Sequence, residues 1–140
     1  MQAVIFRLHV DEYGLDVTAV TEVVRMVALT TLPDAPAWMA GVVNLRGHVI
    51  PVMDLRRRLH LPEQAPDRNT PILIVQAGEQ RFGVIVDAVV EVLELPAASI
   101  EAITAPTFPQ LAVQQLVHLG QRMILLLDPS RLAVAIPVIR

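Results

Sequence analysis

The chain has 140 residues, 54% of them hydrophobic but only 4% aromatic, and its eleven basic residues, all arginine, face fourteen acids for a net charge of −3. That balance leaves no electrostatic footprint for nucleic acid or an anionic membrane. The lack of cysteine excludes disulfides, thiolate chemistry and zinc–sulfur sites, and no stretch approaches the ~20 apolar residues of a membrane span.

The opening MQAVIFRLHVDEYG has no basic leader, which points to a cytoplasmic protein. Val4, Phe6, Leu8 and Val10 alternate with Arg7 and His9, predicting a strand with one buried face and Ile5 as its misfit. Asp11-Glu12 reads as a charged turn, and a second strand starts at Tyr13. VTAVTEVVRM has helical spacing but the Val and Thr content of a strand, and reads as a turn followed by a strand. TTLPDAPAWMAG reads as a single helical turn, with Asp34 as cap, Pro36 in the first turn and Gly41 at the exit. Residues 49–55 form the next strand, where Pro51, lacking an N–H, requires an edge position or a place where the ladder needs no donor. LRRRLH continues as a short helix, and LPEQAPDRNTP is a polar, proline-rich loop. Residues 72–76, 81–86, 91–95 and 123–127 complete the strands, with a hairpin turn at 77–80.

An internal repeat runs through these elements. YGLDVTAVTEVV at 13–24 matches FGVIVDAVVEVL at 82–93 without gaps, keeping Gly14/Gly83, Val17/Val86, Ala19/Ala88, Val20/Val89, Glu22/Glu91 and Val23/Val92. A weaker echo keeps Leu45/Leu119, Ile50/Ile124, Asp54/Asp128 and Arg57/Arg131. Two copies of one small all-β unit, each a set of short strands with turn signals, suggest small barrels.

Within GVVNLRGHVIPVMDLRRR at 41–58, Asn44, Arg46 and Gly47 interrupt an apolar run, and polar groups beside a core are costly unless paired or used. That block, with YGLDVTAVTEVVR, FGVIVDAVVEV and LLLDPSRL, resembles the CheW-like domain of bacterial chemotaxis, in order over nearly the whole chain. The resemblance implies an all-β fold with short helices: two intertwined SH3-like five-stranded β-barrels around a shared hydrophobic core. It implies one domain over 1–140, with approximate subdomains at 13–66 and 82–135 and strand exchange between them. It further implies an adaptor that couples methyl-accepting chemoreceptors to a CheA-type histidine kinase, at receptor arrays beneath the inner membrane. The receptor's cytoplasmic tip would lie in the groove between the barrels, and the kinase's regulatory domain against one barrel end. Gln115 and Leu116 stand where the family's second barrel often has Gly-Val, a departure from its pattern.

On that resemblance the contact residues are Val20, Glu22, Val23, Gly41, Asn44, Arg46 and Gly47, with Val84, Val86 and Val89 on the second barrel. Each is open to a plainer reading. Arg46 either meets a partner or caps and pairs within the chain, Gly41 and Gly47 either meet a partner or serve a turn, and most valines are core. Glu22 is the expected ion-pair partner of Arg46. Asp54 and Asp128 read as caps, and Arg56-Arg57-Arg58 as a solvated face or a steering patch.

His9, His48, His60 and His118 lack metal-ligand spacing, no catalytic fingerprint occurs, and Ser99 and Ser130 have no base partner. The expectation is therefore no enzyme, no metal, no cofactor, no nucleic acid and no membrane insertion. Adaptors of pilus-type pathways and small-ligand sensors are the alternatives.

Overall fold

The computed structural model describes residues 1–103 and 112–137. Their strands are β1 (Gln2–Leu8), β2 (Asp11–Asp16), β3 (Val20–Arg25), β4 (Met39–Leu45) and β5 (His48–Asp54), then β6 (Pro71–Ala77), β7 (Gln80–Ile85), β8 (Ala88–Glu94), β9 (Ile100–Ala102), β10 (Val113–Leu119) and β11 (Arg122–Leu127). Two four-residue helices, α1 (Leu55–Arg58) and α2 (Pro129–Leu132), follow β5 and β11.

The strands form two sheets, ordered β8-β1-β2-β11-β10-β9 and β3-β6-β7-β5-β4. These are the two SH3-like barrels expected from the sequence: a terminal barrel, with a short sixth strand β9, and a central barrel. Each repeat copy opens inside the second strand of a hairpin, β1-β2 or β6-β7, and the strand after it crosses to the other sheet. β3 pairs with β6, and β8 pairs with β1. The sheets therefore cut across the units at 13–66 and 82–135, because the central barrel's strands lie within residues 20–85.

Three cores explain why so many strands read as unbroken apolar runs. Ala3 and Ile5 of β1 enter the terminal barrel with Val117, Ile124 and Leu126, while Phe6 and Leu8 enter a core shared between the barrels. In β6, Ile72 and Ile74 line the central barrel, and Leu73 and Val75 the shared core. A strand buried on both faces loses its alternation. Ile5 is thus no misfit, and Val10, expected inside, is 77% exposed.

The repeated glycines have a spatial reason. A Cβ on Gly14 would stand 2.9 Å from Leu126 Cδ2, and one on Gly83 2.9 Å from Ile72 Cγ2. Each lies where a parallel partner strand passes, β11 beside β2 and β5 beside β7.

Several local expectations are corrected. The first turn falls at His9-Val10, and Asp11-Glu12 opens β2. Residues 30–38 form turns and an isolated bridge from Thr30 to Val42, with Asp34 at φ 60, outside the extended backbone of an N-cap. Gly41 lies inside β4, which was not expected as a strand, and neither were β9 and β10. β5 is interior to its sheet, and its ladder with β7 registers Val52 to Asp54, so Pro51 stands just outside it. Asp54 does cap α1, accepting from the Arg56 and Arg57 N–H groups at 3.1 and 3.4 Å, and Asp128 caps α2 through Ser130 N–H at 2.9 Å.

Candidate partner-binding groove and its ion pairs

The β4–β5 turn is Arg46-Gly47, with φ of 51° and 83°. A two-residue type I′ hairpin loop requires positive φ at both positions. Asn44 Oδ1 accepts the Gly47 N–H at 3.0 Å, so this asparagine serves the turn itself. The Arg46 guanidinium reaches back to β3, its Nη1 and Nη2 donating to Glu22 Oε1 and Oε2 at 2.6 and 2.7 Å. The expected ion pair is present, and it is bidentate. Since β3 and β4 are opposite edges of their sheet, the pair ties the barrel's two edges together. The Arg46 side chain remains 70% exposed. Its hydrogen bond holds the Glu22 carboxyl below the usual carboxylate range, aided by the charges of Arg46 and Arg81.

Glu91, the repeat counterpart of Glu22, does the same in the terminal barrel. It meets Arg122 Nη1 at 3.1 Å, and Arg122 also binds Glu12 through Nε and Nη2 at 3.0 and 2.8 Å. β8 is an edge strand and β11 an interior one, so this network again draws an edge across the sheet. The Glu22/Glu91 match was the sequence signal that could have found it.

The two exchanged strands frame an open groove of about 420 Å³, lined by Val23, Val24 and Arg25 on one side and Ala88 and Val89 on the other, with Asn69, Pro71 and Asp87 between. Val23 and Val89 are exposed there. Val20 is half-buried and packs against the shared core. Val84 and Val86 have no exposed surface: β7 and the residue after it lie inside the shared core, so neither can line a groove. Gly41 is also buried, and a Cβ there would stand 2.6 Å from the Thr30 carbonyl oxygen. Its role is close backbone packing. The candidates with surface to offer are Glu22 and Val23 on β3, Asn44, Arg46 and Gly47 at the β4–β5 turn, and Val89 across the groove.

The Arg56-Arg57-Arg58 run is not a solvated face. Arg56 is buried, its Nε and Nη2 donating to Asp87 at 2.8 and 2.5 Å. Arg57 donates to the Ala37 carbonyl and flanks Asp54 and Glu63, and Arg58 lies over the Trp38 ring at 5.1 Å. Consecutive arginines on a short helix point in different directions, so a run of like charge says nothing of a common face. Among the described residues there is no group of three or more side chains arranged to hold a metal ion, and no helix long and apolar enough to cross a membrane.

Comparison with known proteins agrees with this fold. The CheW-like domain family matches residues 2–136. The chain is 36% identical to a protein of Klebsiella aerogenes named "Chemotaxis protein CheW", over 91% of this chain and 78% of that one. It is 33% identical to a protein of the same name from Bacillus subtilis, over 91% and 83%. The crystal structure of the scaffolding protein TtCheW from Thermoanaerobacter tengcongensis superposes with a TM-score of 0.84 at 35% identity, covering 91% of this chain and 88% of that one.

Proposed function

This chain belongs to the CheW-like domain family, and from that premise we propose that it is a chemotaxis scaffold coupling chemoreceptors to a CheA-type histidine kinase in signalling arrays beneath the inner membrane. The chain acts as one domain over 1–140 and has no catalytic task of its own. The observation that carries the reading is the groove between the exchanged strands, where Val23 and Val89 stay exposed; Glu22 of the Arg46–Glu22 pair precedes Val23 along β3.

In this reading the receptor's cytoplasmic tip, a helical hairpin, lays an apolar stripe on Val23 and Val89, while Arg46 and Glu22 orient it. Helix-in-groove docking needs an apolar track with a few polar anchors at its rim. The kinase's regulatory domain takes a barrel end. A groove this small supports weak single contacts, and repetition in an array raises their effective strength.

The test is NMR chemical-shift mapping, first with a receptor-tip hairpin and then with the kinase's regulatory domain. The hairpin is expected to shift Val23, Val89, Glu22 and Arg46, and the kinase domain a separate barrel end. If neither partner shifts any resonance at high concentration, the coupling function is wrong for this chain.

A further inference from the structure

We propose that the buried Arg56–Asp87 pair is a positioning element that pins the β7-to-β8 crossover and so sets the width of the groove between Val23 and Val89. Its consequence for partner affinity rests on the coupling reading above, whereas its geometric part does not.

Asp87 sits where the chain leaves the central barrel for the terminal one. Val86 before it is fully buried in the shared core, and Ala88 and Val89 after it line the groove. Its carboxylate accepts from Arg56 Nε and Nη2 and, at 2.8 Å, from the His9 N–H in the β1–β2 turn. Its own N–H donates to the Arg7 carbonyl at 3.0 Å. Arg56 in turn donates to the Pro62 carbonyl and to Gln64 Oε1, each at 2.8 Å. One charged pair therefore joins α1 and the loop after it, in the central barrel, to β1 and its turn in the terminal barrel.

The other crossover is built differently. The repeat places Thr18 where the second copy has Asp87, and residues Val17–Ala19 form a 3-10 turn closed locally by Asp16. Only the crossover beside the groove is held by a long-range pair of this kind among the described residues. The pair is also costly to bury, with side chains 9% and 24% exposed. A well-packed apolar replacement is often as stable as a buried ion pair, so what such a pair supplies is geometry. Asp87 also forms part of the groove wall, between the faces that carry Val23 and Val89.

The absence of cysteine makes a direct test clean. Nitroxide labels at Val23→Cys and Val89→Cys report the groove width by pulsed electron paramagnetic resonance, in the parent and in Asp87→Asn and Arg56→Lys backgrounds. A narrow distance distribution in the parent is expected to shift or broaden in both. Without labels, both variants should bind a receptor-tip hairpin roughly 3- to 30-fold more weakly. Arg57→Ala, which has no contact with Asp87, should leave distance and affinity unchanged. If Asp87→Asn and Arg56→Lys lower the melting temperature but move neither readout, the pair is a stabiliser only and the proposal is overturned. It is overturned equally if neither variant folds, since the pair would then be a requirement of the fold as a whole. If the parent does not bind the hairpin, the coupling reading falls, while the label distances still decide the geometric claim.

Discussion

Arg46 holds a left-handed backbone conformation at φ 51, which a side chain with a Cβ adopts at a cost. The hairpin requires that conformation, and the bidentate contact with Glu22 is what an arginine adds there over a glycine. Glu22 should titrate below the usual carboxylate value, and Arg46→Ala should move it upward, as read by carboxyl ¹³C shifts. Because its folded value is depressed, the pair's contribution is present above the unfolded carboxylate pKa and lost as pH falls through the folded one. The double reversal Glu22→Arg with Arg46→Glu should recover hairpin binding that each single change loses. No recovery would mean the pair is not what orients the partner. The two glycines flanking this block separate by mechanism. Gly41→Ala forces a Cβ against the Thr30 carbonyl at 2.6 Å and should cost on the order of 2–3 kcal/mol, whereas Gly47→Ala meets open space and should cost about 1 kcal/mol from its backbone alone. Urea denaturation of both variants checks the order.

At the scale of elements, α1 is too short to stand by itself and is held by what surrounds it. Asp54 caps it, Arg57 and Arg58 tie it to residues 37–38, and Arg56 anchors it to Asp87 across the barrel boundary. Arg56→Ala leaves a carboxylate without its partner and should destabilise by roughly 3 kcal/mol, the lower end for a buried pair because Asp87 still meets some water. Burial pushes the Asp87 carboxyl up, but the hydrogen bonds from Arg56 and the His9 N–H, with the charges of Arg56 and Arg7, outweigh it and leave the value low. Its stabilisation is therefore complete above the unfolded carboxylate value of about 3.9 and fades as pH drops below it. In Arg56→Ala that acid-dependent loss should be smaller, by denaturant titrations between pH 5 and pH 2.

The molecule as a whole is bound by a core that belongs to neither barrel alone. Phe6, Leu8, Tyr13 and Leu15 from one sheet pack with Leu73, Val75, Phe82 and Val84 from the other. Calorimetry should accordingly show one two-state transition, with calorimetric and van't Hoff enthalpies equal. A fragment of residues 20–86 holds every central strand but exposes that apolar face, and it should aggregate or bind ANS instead of giving dispersed NMR spectra. Tyr13, the chain's lone tyrosine, reports on the same core. Burial, then the charge of Asp11, pushes its phenol up to about 12. Its raised value stabilises the fold fully below pH 10, and that contribution is lost as pH rises toward 12, so phenolate absorbance should rise together with alkaline unfolding.

The amino-acid sequence by itself determined the two-copy β architecture and the caps Asp54 and Asp128, and its family resemblance pointed to the Arg46–Glu22 pair. The architecture and the caps rest on a repeat and on local chemistry, both written along the chain, whereas the pair joins residues 24 positions apart. Only the tertiary structure decided which barrel each strand joins, since β3 and β8 are alike in composition wherever they pair. It alone showed that β1, β5, β6 and β7 are buried on both faces, which withdraws Val84 and Val86 from the surface and turns Ile5 from a misfit into core. It also turned the first arginine of an apparent charged patch inward, because Arg56 is matched by an acid 31 positions away, a pairing set by the chain's crossing and by nothing adjacent to either residue.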